Sequence, residues 1–373
     1  MYRTILTMAM VLLAAANAAA EEPYRLPDGR ELRLEGVASG LGVVWGMTFI
    51  DEHRLVITER QGRIGIVDVR DGSYRDVAGI PQVLASGQGG LLDVAAEPGY
   101  APGGYLYFTY VKDVGDGRGA TTLARGRLIE NRLTDWQDLL VTRSATGTTR
   151  HFGSRIAFDG AGHVFFSIGD RGQRELAQDL TSHAGTVLRL QLDGSLPPDN
   201  PLVGIQGALP EIWSWGHRNI QGLAYDAATD RLWAIEHGPR GGDELNLVRP
   251  GRNYGWPEVS HGMEYWGPIP VGEARERQGM ESPVKVYIPS IAPSSLLVYD
   301  GEALPAWRGS LLAGALVLRH LNRITVDGEG RAVAEERLLE DRGERIRSLA
   351  VDHQGVLYLG TDSGLILRLA PAG

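Results

Sequence analysis

The sequence predicts an all-β protein, a six-bladed β-propeller with long loops inserted on one face. A unit of two short apolar strands, the first ending in an acidic residue, recurs six times. No stretch carries the 3.6-residue apolar period of an amphipathic helix. Glycine is high at 50 of 373 residues, as a chain of many tight turns requires.

The six units fall in order at 46–51 with 54–59, 91–97 with 105–110, 150–159 with 165–172, 220–226 with 231–236, 295–300 with 311–315, and 346–352 with 356–361. Further strand-like pieces follow, as at 64–68, 187–190 and 365–369. The acidic markers at 51, 97, 159, 226, 300 and 352 have the spacing of propeller blades, made irregular by insertions at 111–149, 191–217 and 251–292. A propeller closes on itself, so residues 21–373 are read as one unit; a pair of open β-sandwiches is the alternative.

The N-terminus reads as a targeting segment. Arg3 gives a positive start, 5–16 are apolar, and Ala16-Asn17-Ala18-Ala19-Ala20 offer small residues for cleavage before Glu21-Glu22. Residues 1–20 are therefore expected to be a secretory signal peptide, too short for a membrane anchor. An uncleaved tether is the alternative. The mature chain is expected in a bacterial periplasm, with no stable membrane insertion, since no other apolar run spans a bilayer. It has no cysteine, so neither disulfides nor thiol chemistry enter. The formal charge of −9 argues against nucleic acid, whose phosphates need a basic face.

The third unit carries the sharpest chemical signal. His151 enters one strand and Asp170 leaves the next, and the turn Asp159-Gly160-Ala161-Gly162 joins the two. Such a hairpin brings its open ends together. The carboxylate then orients the imidazole, a general-base arrangement. On residues alone, a solvated loop histidine near an unrelated aspartate is the alternative. In a propeller the innermost strands all begin at one face, so the residues at their starts meet around the axis. Those residues are Gln88, His151, Arg218 with Asn219, and Arg345 with Arg347. They suggest a polar pocket for an anionic ligand; structural hydrogen bonding is the other reading of Arg218 and Asn219. The stretch Glu236-His237-Gly238-Pro239-Arg240-Gly241-Gly242-Asp243-Glu244 is a bent loop of exposed carbonyls and carboxylates, suited to Ca²⁺ or else an ordinary turn with solvated acids. Asn253-Tyr254-Gly255-Trp256-Pro257 follows and adds a ligand or a wall. Tyr265-Trp266 form a substrate-side wall or simply pack a loop. No transition-metal spacing, esterase elbow or phosphate loop is present.

Taken in order, Gly87-Gln88-Gly89-Gly90-Leu91-Leu92, Arg150-His151-Phe152-Gly153-Ser154-Arg155, Ile168-Gly169-Asp170-Arg171-Gly172, Gly216-His217-Arg218-Asn219-Ile220-Gln221-Gly222, His237-Gly238-Pro239 and Arg345-Ile346-Arg347 resemble the soluble PQQ-dependent aldose sugar (glucose) dehydrogenases, from about 36 to 369. The resemblance implies pyrroloquinoline quinone (PQQ) over the channel mouth, with His151 as base, Asp170 as its orienting carboxylate and Arg218 stabilising charge on the quinone oxygen. It implies Gln88, Arg218, Asn219, Arg345 and Arg347 as residues holding the quinone, and Tyr265 lining that site. It implies the carbonyls of Gly238 and Pro239 as ligands of the Ca²⁺ at PQQ, and Glu244 and Tyr254 as ligands of a further Ca²⁺. An aldose would become a lactone, with electrons passed to an external acceptor such as a quinone, cytochrome or dye. A Ca²⁺-dependent propeller lactonase and a non-catalytic binding propeller are the competing readings. Two departures stand out. Many members carry a Lys in the fifth blade, where this chain reads Gly314-Ala315-Leu316-Val317-Leu318-Arg319. Val317 or Leu318 stands near that position; Arg319 compensates only if the loop bends, and otherwise one contact to a cofactor carboxylate is lost. His237 stands where the best-known glucose enzymes have Gln.

Overall fold

Short runs rich in Val, Ile, Leu and aromatic residues, punctuated by Asp- and Gly-containing turns, form six antiparallel sheets in the protein, described by a computed structural model over residues 23–26 and 29–372. The leader expected at 1–20 lies outside the described residues. Blade 1 comprises Val44–Phe49, Arg54–Glu59, Arg63–Asp68 and Tyr74–Asp76. Blade 2 comprises Leu91–Ala96, Tyr105–Asp113, Gly119–Ile129 and Arg132–Val141. Blade 3 comprises Ile156–Phe158, His163–Ile168, Thr186–Gln191 and Ile212–Trp215. Blade 4 comprises Ile220–Asp226, Arg231–Glu236, Asp243–Val248 and Lys285–Tyr287. Blade 5 comprises Pro293–Val298, Leu311–Ala315, Leu321–Val326 and Ala332–Leu338. Blade 6 takes Ile346–Val351, Leu357–Thr361 and Ile366–Pro371 from the C-terminal end, and its fourth strand is Glu31–Ala38.

This last pairing closes the ring, with Leu34 opposite Leu369. Glu31–Ala38 was not among the repeats, although Leu32 and Leu34 alternate with polar residues as a half-buried strand must. The first strand of every blade is innermost, and these strands contact one another around the axis. Apolar layers fill the space between blades; Phe165 and Val187 of blade 3, for instance, pack on Ile220, Leu223 and Leu232 of blade 4. Among the described residues, helix is confined to three short 3₁₀ turns, and no helix is long and apolar enough to cross a membrane.

The insertions differ from expectation. Most of 111–149 is not loop but the long outer strands of blade 2. Segment 192–211 leaves the third strand of blade 3, at the end away from His151. Segment 251–292 does reach the site: Arg252–Asn253 runs parallel to Ile212–Trp215 on the outer edge of blade 3 and carries the following residues towards His151.

One side chain ties all the blades together. Arg155, in blade 3, donates from Nε to Gln221 O of blade 4 (2.7 Å) and from Nη1 to Trp45 O of blade 1 (3.1 Å) and Asp93 Oδ1 of blade 2 (3.2 Å). Its Nη2 bonds Ser294 O of blade 5 and Arg347 O of blade 6, the latter at 3.0 Å. Burial lowers its pKa to about 10, still far above neutrality. Replacing Arg155 by Met strands the buried Asp93 carboxylate and the carbonyls. A loss of about 3–5 kcal/mol is expected, read as a lowered denaturant midpoint.

Candidate active site

His151 and Asp170 meet as the hairpin predicts. His151 Nδ1 lies 2.6 Å from Asp170 Oδ1, which also accepts Gly172 N–H at 2.6 Å. Asp170 Oδ2 accepts Trp256 Nε1–H at 2.8 Å. With Nδ1 donating to the carboxylate, Nε2 holds the free lone pair. Burial is the largest influence on His151 and lowers its pKa, with Arg218 acting the same way and Asp170 opposing both. The ring is therefore neutral and able to accept a proton near pH 7. Asp170 is pushed up by burial, but the hydrogen bond from His151, with the charge of Arg218 and the Gly172 N–H, prevails and holds it below the ordinary carboxylate range.

The backbone beneath this pair is constrained. His151 sits at φ +56°, a left-handed conformation costing a non-glycine residue about 1–2 kcal/mol. Its N–H donates to Gln88 Oε1 at 2.7 Å, and Gln88 N–H donates to Thr149 O at 2.8 Å. Gly169 permits the close approach, since a Cβ there would stand 2.3 Å from His151 O. Arg171 is fully buried and clamps the preceding loop, donating to Gly119 O (2.8 Å), Ser144 O (3.0 Å), Thr148 O (2.8 Å) and Arg150 O (3.3 Å). Arg171 lies within Ile168–Gly172, but its clamp on the loop has no local sequence signal. Trp256 lies in the stretch expected to add a ligand or a wall, and the path of 251–292 brings it to Asp170 instead.

A cavity of about 230 Å³ opens at the head of the axial channel; His151 is not among its lining residues but borders it through Gln88, Phe152 and Gly153. Gln88, Asn219, Arg345 and Arg347 line it, together with Arg60 and His237, and its wall contains no carboxylate. Phe152 and Gly153, next in chain to His151, also line it. Asn219 Oδ1 accepts Gly153 N–H at 3.2 Å, tying blade 4 to the loop of blade 3. Arg345 Nε donates to Asp362 Oδ2 at 2.8 Å, and Arg347 Nε to Asp362 Oδ1 at 2.7 Å. Two guanidinium groups thus share one carboxylate, leaving an excess of positive charge.

Arg218 lines not this cavity but a second, much smaller one, and meets the first only through His237. Its Nη1 donates to His237 O (3.0 Å) and its Nη2 to Tyr265 OH (3.3 Å), while the buried Nε has no partner among the described residues. The smaller cavity, about 10 Å³, is close to the size that admits one water or one ion. Gly238, Pro239, Glu244 and Tyr254 all line it, with Arg218 and Glu236. Asp243 shapes the loop: Oδ1 accepts Gly238 N–H (2.9 Å) and Ser290 Oγ–H (2.9 Å), and Oδ2 accepts Ala292 N–H (2.8 Å). The Tyr254 hydroxyl is spent on Leu247 O and Arg249 N–H, so only its carbonyl is free to face the cavity. Glu244 is half-buried, and desolvation followed by the charge of Glu236 drives its pKa well up. A carboxylate so placed calls for a cation. Among the described residues no three acidic, His or Cys side chains converge. A cation here would be held by backbone carbonyls plus Glu244, a hard-oxygen set that fits Ca²⁺. The acid-free wall of arginines, Gln88 and Asn219, with the orphaned Arg218 Nε, fits a planar polycarboxylate such as PQQ.

Tyr265 lines neither cavity. It is 64% exposed, beside Trp266 at 73%, and reaches the site only through Arg218. His237 lies between the cavities; its Nε2 is 2.5 Å from Pro293 O, and burial pushes its pKa down to about 3. Arg319 does not compensate for the missing blade-5 Lys. Its Nη1 donates to Gly343 O at 3.3 Å, and Leu316 occupies the cavity wall.

A profile of the family described as Glucose / Sorbosone dehydrogenase matches residues 41–368. The aldose sugar dehydrogenase YliI of Escherichia coli K12 is 38% identical over 333 residues, covering 88% of this chain and 90% of that protein. A crystal structure of a glucose dehydrogenase superposes with a TM-score of 0.87 at 41% identity, covering 91% of this chain and 99% of that one. The PQQ-bound form of the aldose sugar dehydrogenase of Streptomyces coelicolor gives 0.73 at 28% identity, over 91% and 98%. The chain, with its propeller, its His–Asp pair and its arginine-walled cavity, belongs to the glucose/sorbosone dehydrogenase family and is an oxidoreductase of the aldose sugar dehydrogenase kind.

Proposed function

We propose that the protein oxidises aldose sugars at the anomeric carbon to lactones, using PQQ and Ca²⁺ and passing the electrons to an external acceptor. The observation that carries this reading is the neutral His151, oriented by Asp170, at the edge of a cavity walled by arginines without a single carboxylate. PQQ, when bound, supplies the hydride acceptor. His151 Nε2 takes the proton of the anomeric hydroxyl, and Asp170 stabilises the imidazolium that results. Arg218, Arg345 and Arg347 supply fixed positive charge, and Gln88 and Asn219 supply neutral donors. Glu244 and the carbonyls of Gly238, Pro239 and Tyr254 hold the cation. Tyr265 and Trp266 stand at the rim, where a sugar enters. A lactonase would need His151 and the cation but would leave the arginine wall without a task. The periplasmic location read from residues 1–20 is part of this proposal.

Aldose-dependent reduction of an artificial dye by the apo-protein should require both PQQ and Ca²⁺. Activity with neither, or none with both, would refute the assignment. His151→Ala should lose roughly 10²–10⁴-fold in kcat while still binding PQQ. For the intact enzyme, kcat/KM should fall as pH drops through the lowered His151 pKa, below 6.5, because protonated His151 cannot act as base.

Trp256→Phe removes one donor from Asp170. The carboxylate becomes a stronger acceptor, so the His151 pKa rises and the acid limb of the pH profile should move up, with kcat falling roughly tenfold. A merely structural role for Trp256 would lower stability and leave the limb in place.

A further inference from the structure

Arg60 directly follows the second strand of blade 1, Arg54–Glu59, and its side chain lines the central cavity with Trp45, Gln88 and Phe152. Its backbone is fixed on both sides. The N–H donates to Val43 O at 3.2 Å, and the carbonyl accepts Leu91 N–H at 3.1 Å. Gly90 packs so closely that a Cβ there would stand 1.9 Å from the Arg60 carbonyl. The guanidinium, by contrast, makes no hydrogen bond or ion pair with any described residue. The neighbouring cations are all engaged. Arg345 and Arg347 share Asp362, and Arg345 also donates to Leu316 O at 2.8 Å. A guanidinium held half-buried in an acid-free cavity, with its donors unspent, is a site for an incoming anion.

Blade 5 shows the complementary gap. Leu316 stands in the wall with its carbonyl taken by Arg345, Val317 is exposed, and Arg319 is turned to Gly343. No blade-5 cation lines the cavity. We propose that Arg60 binds a carboxylate of PQQ, a cationic contact from blade 1 that is distinct from the one the family resemblance assigns to a blade-5 Lys. The inference rests on the PQQ reading above. PQQ is a tricarboxylate, so Arg60 can serve a different carboxylate from the one such a Lys would meet.

The test is the PQQ affinity of the apo-protein, read by quenching of tryptophan fluorescence with Ca²⁺ present, for the wild type, Arg60→Gln and Arg60→Lys. Losing one charge-assisted contact should weaken binding roughly 10- to 100-fold in Arg60→Gln. Arg60→Lys keeps the charge but not the fork, and should lie between. Because Arg60 bonds no other side chain, both thermal midpoints should match the wild type. Should Arg60→Gln fail to fold, Arg60→Lys alone decides: several-fold weakening supports the contact, and unchanged affinity opposes it. Wild-type affinity in a folded Arg60→Gln would overturn this inference and leave the proposed function intact. A wild-type protein that bound no PQQ would overturn both.

Discussion

The structure depends on a single buried guanidinium on its axis. Six sheets around a channel leave the inner strands with carbonyls facing inward, and a channel of apolar side chains would leave those acceptors unsatisfied. Arg155 resolves this by reaching an acceptor in each of the other five blades, with its charge balanced by Asp93. The plug also sets the floor of the functional cavity, because its acceptor Arg347 O belongs to a residue of the cavity wall. Fold and site therefore share a layer of atoms.

Above that floor the charges are sorted by sign. Guanidinium groups gather in the larger cavity, whose wall has no acid, while Glu236 and Glu244 gather in the smaller one. Arg218 lines the smaller cavity and bonds His237, which lines both, so an anion and a cation bound side by side would each meet opposite charge. The carboxylates that keep the scaffold in place are turned away from the larger cavity. Glu236 holds the backbone of Arg218 and the ring of His217, Asp243 holds the Gly238 loop, and Asp362 holds two arginines. Burial raises Asp243 to about 6, the cost of using an acid as a loop clasp in a dry place.

Much of this was legible from the chain. The recurrence of strand, acidic turn and strand gave the blades, and the rule that inner strands start at one face put Gln88, His151, Asn219, Arg345 and Arg347 together. Three things were not legible, each for a physical reason. The fourth strand of blade 6 lies at the other end of the sequence, where a single alternating run has no repeat to announce it. Segment 111–149 looks like loop because its strands carry Arg, Asp and Gln on their outer faces, with Trp136 half-buried among them, yet its alternation supports strands. Trp256, Arg171 and Arg155 act through contacts far apart in sequence, and nothing local distinguishes a buried arginine that caps carbonyls from an exposed one. Arg319 shows the converse: adjacency in sequence to the expected cation suggested compensation, but a left-handed backbone at φ +52° accompanies a side chain bonded to Gly343.

The central claim is that C–H cleavage at the anomeric carbon occurs beside His151. A single-turnover measurement with an aldose deuterated at that carbon, on protein loaded with PQQ and Ca²⁺, tests it most directly. Bleaching of the oxidised cofactor should be several-fold slower with the deuterated sugar. Equal rates, together with turnover of a lactone in the absence of PQQ, would contradict it and assign the pocket to hydrolysis.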